Sequence, residues 1–202
     1  MLDTKIILAS QSPRRRDILK NLGIAFTSEV SDADETLSGN YSPEKAVCEL
    51  SQRKAFACLE QHIGENVFII AADTVVVLDG EIIGKPKSKK DAFDILSRLS
   101  GRSHEVFTGF TLCSQSKSFT DYERTEVTFN ELSDELIRAY IDTGEPMDKA
   151  GAYGIQGKGI AFIEKICGDY FNVVGLPASR VIAAANEKFG INLLFLEKGD
   201  YK

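Results

Sequence analysis

The 202-residue chain has few of the residues from which several common functional sites are built. It has only two histidines, His62 and His104, so a histidine-rich metal centre or a Ser-His-Asp triad is difficult to assemble. Its four cysteines are dispersed without a CxxC pair, which gives little support to a zinc or redox motif and favours buried free thiols. Any bound metal is therefore expected to be a hard cation held by carboxylate and phosphate oxygens.

The sequence also has no excess of positive charge. Twenty-four Lys and Arg residues stand against 30 Asp and Glu residues, a net charge of -6, which argues against a broad basic surface for nucleic acid. If the ligand is an anion, the positive charge that binds it must be concentrated locally. The longest apolar run, 67–78, is interrupted by Asp73 and is too short to span a bilayer, and residues 1–10 do not resemble a signal peptide. We expect a cytoplasmic protein without a nucleic-acid or membrane partner.

The pattern of apolar residues predicts an α/β fold in one domain over residues 1–202. Strand and helix signals alternate, and no repeat or flexible linker interrupts them. At least two hairpins favour a mixed sheet covered by helices over a purely parallel one. The predicted strands are 5–9, 24–30, the run after Gly64 that forms a hairpin through Asp79-Gly80, 104–113, 118–129 and 160–166. The predicted helices are 12–23, 42–62, 88–101, 133–144 and 178–189.

The segment from Leu8 to Arg16 is the first candidate for binding an anion. A strand leads into a helix N-terminus, where unpaired backbone N–H groups and the helix dipole favour negative charge. Arginines Arg14, Arg15 and Arg16 stand in the first turn, where cations are electrostatically unfavourable. Phosphate oxygens would offset that repulsion, because arginine binds them bidentately. The alternative is a solvated basic turn.

Asp73 is the second candidate, because it lies in the middle of an apolar run. A carboxylate in such a place needs hydrogen bonds, a cation or a proton, so Asp73 is a candidate metal ligand or general base. The alternative is a carboxylate that fixes a turn between two strands. The hydroxyl of neighbouring Thr74 is positioned in sequence to contact the same ligand, although threonine is also ordinary in a strand.

Two lysines and an acidic loop complete the charged candidates. Lys54 interrupts the apolar face of the second helix, where it either reaches the surface or binds an anion. Lys85 follows the hairpin in Gly84-Lys85-Pro86, and the proline stiffens its backbone, although a plain loop lysine fits as well. The loop Asp32-Ala-Asp-Glu35 is a candidate to assist a divalent ion, or it is simply solvated.

The segment from Asp148 to Gly159 is dense in glycine. Its glycines permit positive φ angles and close backbone approach to a ligand, but their spacing fits neither the dinucleotide-binding fingerprint nor the P-loop. Gln156 offers an amide with both a donor and acceptors, as recognition of a base requires. The alternative is a glycine-rich turn that binds nothing.

Taken together, these segments resemble the Maf family of nucleoside triphosphate pyrophosphatases. The similarity extends from Leu8 to about Pro177 and rests on several ordered motifs. They are Leu8-Ala-Ser-x-Ser-Pro-Arg-Arg15, Ala72-Asp-Thr-Val75, Gly84-Lys-Pro86, Ser100-Gly-Arg-Ser-His-Glu-Val106 with Thr108-Gly109, Gly144-Glu-Pro-Met-Asp-Lys-Ala-Gly-Ala-Tyr-Gly-Ile-Gln-Gly157 and Asn172-Val-Val-Gly-Leu-Pro177.

The resemblance implies an elongated α/β fold similar to that of inosine triphosphatases, with a cleft between two lobes. It implies hydrolysis of a nucleoside triphosphate to the monophosphate and pyrophosphate with a divalent metal such as Mg²⁺ or Mn²⁺. Residues at the family's selectivity positions place the chain in the branch acting on dTTP and UTP. The implied substrate-binding residues are Ser10, Arg14, Arg15, Lys54, Thr74, Lys85 and Gln156. Asp73 would accept a proton and bind the metal, with Glu35, or Asp34 in its place, beside it.

The resemblance leaves other functions and assemblies open. Maf proteins are also linked to septum inhibition and cell division arrest, so a non-catalytic nucleotide-binding regulator is an alternative. A house-cleaning enzyme that removes modified pyrimidine triphosphates is another. A homodimer is compatible with the resemblance. Whether water attacks the α or the β phosphorus is open at this stage.

Overall fold

The computed structural model describes residues 4–30, 32–37, 39 and 41–194. Within these residues, seven strands form one sheet. Six of them follow the order β2-β1-β3-β5-β6-β7, and the seventh, β4, lies outside this order and pairs with β3. The strands are β1 Lys5–Ala9, β2 Thr27–Glu29, β3 Val67–Leu78, β4 Glu81–Ile83, β5 Ser103–Ser114, β6 Lys117–Phe129 and β7 Ile163–Cys167.

The sheet is mixed, as the sequence predicted. Strand β1 pairs in parallel with both β2 and β3, whereas β4 pairs antiparallel with β3, and β7 antiparallel with β6. Parallel neighbours require long crossover connections, and helices supply them between the first three strands. The prediction of a mixed α/β fold is therefore confirmed.

Among the same residues there are six α-helices. They are α1 Pro13–Asn21, α2 Pro43–Glu60, α3 Lys89–Leu99, α4 Asp134–Asp142, α5 Tyr170–Val174 and α6 Ala178–Phe189. Three short 3₁₀ helices follow α4, at Glu145–Asp148, Ala150–Ala152 and Gly157–Phe162. The prediction of a strand over 160–166 was wrong for its first three residues, which belong to the last 3₁₀ helix. The second strand is shorter than predicted, and α5 was not predicted.

Local signals at the helix ends behave largely as the sequence indicates. The Oγ atoms of Ser12, Ser88 and Ser133 accept hydrogen bonds from backbone N–H groups three residues later and so cap α1, α3 and α4. Ser42 begins α2 without a side-chain cap bond. In the hairpin between β3 and β4, Asp79 and Gly80 have φ angles of 54° and 79°, as the predicted type I′ turn requires.

The chain divides into two compact units. The first unit covers the described residues within 1–73, 108–122 and 175–202, and the second unit covers 74–107 and 123–174. In the first unit, apolar side chains of β1, α2 and β3 form a core that includes Ile7, Ala55 and Ile69. In the second unit, a larger core includes Leu96, Phe129 and Phe162 and is formed by α3, α4 and the strands beside them. The prediction of a single domain over 1–202 stays a prediction.

The cysteines match the sequence prediction only in part. All four are free, and Cys58 and Cys113 are buried, but Cys48 is half-buried and Cys167 is exposed. Exposure of Cys167 follows from its place at the end of β7, a strand with largely exposed residues at the edge of the sheet. No helix of the described part of the chain is long and apolar enough to cross a membrane.

Gly109 of β5 fixes how closely helix α2 approaches the sheet within the first unit. A Cβ atom at this position would lie 2.4 Å from both the carbonyl carbon and the carbonyl oxygen of Val47. We expect Gly109→Ala to lower the free energy of unfolding by about 1–3 kcal/mol, because the helix backbone must shift. Urea unfolding measures this change.

Gly84→Ala is the matched control for this substitution. Gly84 has no positive φ angle, and a Cβ atom there would meet nothing within 4 Å. Its stability should therefore be close to that of the wild type. Equal stability of the two variants would show that α2 is not held by the close approach at Gly109.

Candidate active site

The turn between β1 and α1 holds Arg15 in a fixed position. The Ser10 Oγ atom accepts hydrogen bonds from the backbone N–H of Ser12 and from Nη1 of Arg15, both at 3.2 Å. The Arg15 Nε atom donates to the carbonyl oxygen of Gly175 at 2.7 Å. Ser10 is only 8% exposed, so the hydroxyl and the guanidinium are oriented together at the N-terminus of the helix.

Positive charge is concentrated at this helix end. Burial lowers the pKa of Arg15 from its ordinary value, the carboxylates of Asp73 and Glu35 act against that shift, and Arg14 adds to it. Arginine nevertheless stays protonated at any physiological pH. The first turn of α1 carries no acidic residue, so the charge of its arginines adds to the positive end of the helix dipole. An anion such as phosphate would fit this arrangement.

Lys54 of α2 joins the two acidic candidates in the same unit. Its Nζ atom lies 2.5 Å from Oδ1 of Asp73 and 3.1 Å from Oε1 of Glu35. The side chains of Lys54 and Asp73 are only 12% and 13% exposed, whereas that of Glu35 is 60% exposed. Two carboxylates from distant segments thus converge on one cation at the point where β3 carries its only acidic residue.

The structure also distinguishes between Asp34 and Glu35. The Asp34 Oδ1 atom accepts the backbone N–H of Thr36 at 2.8 Å, and this hydrogen bond lowers the pKa of Asp34. The Asp34 carboxylate therefore stabilises its own loop, whereas the Glu35 carboxylate contacts Lys54. Of the two, Glu35 is the better candidate to act beside Asp73.

Arg53 braces the loop that carries Glu35. Its Nη1 atom donates to the carbonyl oxygens of Asp34 at 3.2 Å and Thr36 at 2.9 Å, one on each side of Glu35. Its Nε atom donates to Oε1 of Glu49 at 2.8 Å, one helical turn earlier in α2. The rigid helix thereby fixes the acidic loop through adjacent residues, Arg53 at the backbone and Lys54 at the carboxylate.

If a divalent metal binds at Asp73 and Glu35, we expect Arg53→Ala to weaken the apparent affinity for that metal without removing any candidate ligand. Loss of both carbonyl contacts frees the backbone around Glu35, so the Mg²⁺ concentration for half-maximal activity should rise about 10-fold. Titrating Mg²⁺ at saturating nucleotide measures it.

The matched control is Arg138→Ala, because Arg138 also forms an i,i+4 pair with an acid on an exposed helix face. That variant should behave like the wild type. If Arg53→Ala left the Mg²⁺ concentration for half-maximal activity unchanged, Arg53 would not hold the acidic loop in place for the metal.

The remaining candidates, Thr74, Lys85 and Gln156, belong to the second unit. Thr74 is half-buried in β3, and Lys85 and Gln156 are exposed. The segments that carry Lys85 and Gln156 lie next to each other, because the Gly84 carbonyl oxygen accepts a hydrogen bond from the N–H of Gly151 at 3.1 Å.

The glycine-rich segment is held by two side chains of α4 and the turn after it. The Tyr140 hydroxyl accepts the N–H of Gly154 at 3.1 Å and donates to Oε1 of Glu145 at 2.9 Å. Glu145 also accepts the backbone N–H groups of Lys158 and Gly159, at 3.1 Å and 3.4 Å. Burial raises the pKa of Tyr140, so its hydroxyl stays protonated. The segment that exposes Gln156 is therefore a fixed structure.

The glycines of this segment were predicted to allow positive φ angles and close approach of the backbone to a ligand. Gly151 and Gly157 adopt the predicted positive φ angles of 68° and 76°. The close approaches, however, are to the protein itself: a Cβ atom on Gly159 would lie 2.3 Å from the carbonyl oxygen of Gly154, and one on Gly151 would lie 2.8 Å from Val76. These glycines allow the segment to pack closely on itself and on β3.

Sequence reasoning missed Arg53 and Glu145. Both act mainly through backbone groups of distant residues, which leave no pattern in the sequence. The one signal for Arg53 is its position next to Lys54, with Glu49 four residues earlier.

Comparison with known proteins identifies the family. The family model described as "Maf-like protein" matches residues 5–188. The chain belongs to the Maf family. The resemblance inferred from the motifs is thus confirmed over nearly the whole of the described chain.

Curated Maf relatives share about half of their residues with this chain. A protein of Alkaliphilus metalliredigens is 50% identical over 192 residues, which cover 94% of this chain and 99% of the relative. A protein of Bacillus cytotoxicus is 49% identical over 178 residues, 88% of this chain and 92% of the relative. A protein of Bacillus pumilus is 47% identical over 187 residues, which cover 93% of this chain and 97% of the relative. Each is named dTTP/UTP pyrophosphatase.

Among solved structures, the Ham1 protein of Staphylococcus aureus is similar, with a TM-score of 0.46 and 16% identity. The match covers 62% of this chain and 72% of that protein. A HAM1 protein from Coxiella burnetii matches with a TM-score of 0.44 and 16% identity, over 62% of this chain and 73% of that protein.

Proposed function

We propose that this Maf protein hydrolyses dTTP and UTP to the nucleoside monophosphate and pyrophosphate. The observation that carries the proposal is the convergence of Asp73 and Glu35 on the ammonium group of Lys54. The names of relatives that are 47–50% identical support the choice of nucleotides.

Positive groups from separate segments would bind the triphosphate. Arg14 and Arg15 stand at the N-terminus of α1, where the helix dipole adds to their charge, and Lys54 lies beside Asp73. Lys85 contributes the further lysine that the family resemblance implies. Arg14, Arg15 and Lys54 of the first unit would thereby give a chain with a net charge of -6 a local set of cations for a polyanion.

The carboxylates of Asp73 and Glu35 fit a divalent metal. Both oxygens already lie within 3.1 Å of one nitrogen, the Lys54 Nζ atom, so one cation can contact both. Oxygen-only ligands suit Mg²⁺ or Mn²⁺, which usually complete their coordination with phosphate oxygens and water. When bound, such an ion would neutralise charge on the phosphates.

In the proposed reaction, Asp73 accepts a proton from the attacking water. The water oxygen forms a bond to the α or the β phosphorus, and the bridging bond between these two phosphates breaks. The leaving group takes the electron pair of that bond, and it is pyrophosphate after attack at the α phosphorus or the nucleoside monophosphate after attack at the β phosphorus. The arginines and lysines hold the phosphates and balance the charge that develops. For Asp73 to reach the water, Lys54 must exchange its contact with that carboxylate for one with a phosphate oxygen. Positioning and charge neutralisation would supply most of the acceleration.

A panel of nucleoside triphosphates, assayed with Mg²⁺ or Mn²⁺ for pyrophosphate and orthophosphate separately, tests the proposal. Pyrophosphate from dTTP and UTP, and little from ATP, CTP or GTP, is the expected result. Orthophosphate alone would exclude the cleavage proposed. No product from any nucleotide would favour a non-catalytic nucleotide-binding regulator, and faster turnover of modified pyrimidine triphosphates would indicate a house-cleaning role. Water labelled with oxygen-18 would show which phosphorus is attacked, because the label enters the monophosphate only after attack at the α phosphorus.

Gln156 is expected to determine base preference. Its amide is exposed on a segment that Tyr140 and Glu145 hold in place, so it can donate and accept hydrogen bonds at a base edge. We expect Gln156→Ala to reduce the ratio of kcat/KM for UTP over CTP about 10-fold, because one base contact is lost. Competition assays with the two nucleotides measure that ratio.

Ile160→Ala is the control, since this residue is 64% exposed in the 3₁₀ helix that begins directly after Gln156, and its side chain offers no hydrogen bond. It should leave the ratio unchanged. If Gln156→Ala also leaves it unchanged, another residue recognises the base.

A further inference from the structure

A second cluster of possible metal ligands lies in the first unit, and it shares no residue with the proposed active site. Glu29 of β2, Cys58 of α2 and His62 just beyond α2 each offer a ligand atom, and all three atoms lie within 4.8 Å of one another. Cys58 is fully buried and His62 is 9% exposed. Two segments that are distant in sequence, β2 and the end of α2 with the turn after it, therefore bring oxygen, sulfur and nitrogen donors to one point.

The cluster already stabilises positive charge. The Nε2 atom of His62 lies 2.7 Å from Oε2 of Glu29, and its Nδ1 atom lies 3.0 Å from Oε2 of Glu65. The hydrogen bond to Glu29 raises the pKa of His62, burial acts against that shift, and Glu65 adds to it. The His62 imidazole thus lies between two carboxylates, where a metal cation would be favoured for the same electrostatic reason as its protonated form.

The arrangement also resembles that of built metal sites in its outer contacts. A histidine that binds a metal through one nitrogen commonly donates its other N–H to a carboxylate, and Glu65 is placed to accept from Nδ1. Lys5 donates to Oε1 of Glu29 at 3.2 Å, which leaves Oε2 directed toward His62. Cys58 lies in the last turn of α2 and His62 in the turn that follows the helix, only four residues later.

We propose that Glu29, Cys58 and His62 bind one borderline divalent cation, of the class of Zn²⁺ or Co²⁺. Thiolate, imidazole and carboxylate are the ligands that Zn²⁺ selects, at about 2.0–2.3 Å. These bond lengths require the three donor atoms to lie about 3–4 Å apart, so a small side-chain adjustment closes the site. The Glu29 side chain is 26% exposed, so the cluster is not sealed from solvent.

Binding would exchange protons for the metal. Burial raises the pKa of the Cys58 thiol to about 11, so the sulfur binds only by giving up its proton to solvent. His62 would lose the proton on Nε2 and keep the one on Nδ1. Metal binding should therefore release the thiol proton of Cys58 and the second proton of any protonated His62, and the apparent affinity should rise with pH.

Titration of the metal-stripped, full-length chain with Co²⁺ alone tests the proposal. Cobalt bound to a thiolate gives a charge-transfer band in the near ultraviolet, which a carboxylate site such as Asp73 and Glu35 cannot produce. We expect the band in the wild type and its loss in Cys58→Ser. Cys48→Ser and Cys167→Ser, which remove thiols outside the cluster, should retain it.

Zn²⁺ binding measured by calorimetry supplies a second readout. We expect Glu65→Gln to weaken binding about 10–100-fold, because it removes only the group that orients His62. His62→Gln keeps a polar side chain in place and should abolish tight binding, so the test holds even if Cys58→Ser fails to fold. Absence of the charge-transfer band in the wild type, or its persistence in both Cys58→Ser and His62→Gln, would overturn the proposal. Neither readout depends on pyrophosphatase activity.

Discussion

Replacing Asp73 by Asn is expected to lower kcat for dTTP and UTP about 10³-fold, within the range for loss of a general base. The amide cannot accept the proton from water, and it is a much weaker metal ligand than the carboxylate. The Asp73 side chain is only 13% exposed, and its nearest charged partner is Lys54. No other carboxylate of β3 can replace it. Steady-state kinetics with saturating nucleotide and metal measure the effect.

Asp79→Asn is the control for this variant. Asp79 lies in the turn directly after β3, where its exposed carboxylate pairs with Arg102. That change should leave kcat within about 2-fold of the wild type, since an exposed ion pair contributes little. If Asp73→Asn kept more than about a tenth of wild-type kcat while folding normally, Asp73 would not be the proton acceptor.

Elements governed by neighbouring residues were predicted well. The turn at Asp79-Gly80 has a sequence that prefers positive φ angles, and the structure shows them at both positions. Helix α6 has the predicted bounds, because its apolar positions recur at helical spacing and Gly190, with a φ angle of 67°, ends it. Such signals lie within a few residues, so tertiary contacts need not decide them.

The glycine-rich segment shows why the prediction of a strand at 160–166 failed at its start. Its apolar residues look like a buried strand, but Ile160 is 64% exposed and Phe162 alone of the first three enters the core. Glu145, more than ten residues earlier, accepts the N–H groups of Lys158 and Gly159 and favours a 3₁₀ helix there. A long-range side-chain contact thus overrode the local pattern.

The candidate site was predictable where a charge conflicts with its surroundings. Asp73 in an apolar strand and Lys54 on an apolar helix face were both conspicuous, and the structure pairs them across 19 positions of sequence. Arg53 and the cluster at His62 were not conspicuous, because Arg53 binds carbonyl oxygens and the cluster joins residues of ordinary types. The spacing of the cysteines argued against a zinc motif, but that test cannot detect a cysteine, a histidine and a carboxylate that the fold brings together from two distant segments.

Replacing Lys54 by Met should change catalysis and metal binding in opposite directions. Loss of the ammonium removes a phosphate contact and should lower kcat/KM about 10²–10³-fold, as removal of a charge-stabilising donor does. In the substrate-free protein, however, the same ammonium group forms ion pairs with the carboxylates of Asp73 and Glu35. Its removal leaves two carboxylates without their cation, so Mg²⁺ should bind the free protein more tightly. Kinetics and calorimetric titration with Mg²⁺ measure the two effects separately.

Lys45→Met is the matched control, because Lys45 is an exposed lysine of the same helix, α2. It should change neither quantity. If Lys54 only stabilised the fold through its ion pairs, Lys54→Met would lower the free energy of unfolding without raising the affinity for Mg²⁺. Tighter Mg²⁺ binding together with slower turnover would instead show that Lys54 and the metal compete for the same two carboxylates. Lys54 would then have to leave Asp73 for the substrate before the metal could bind there.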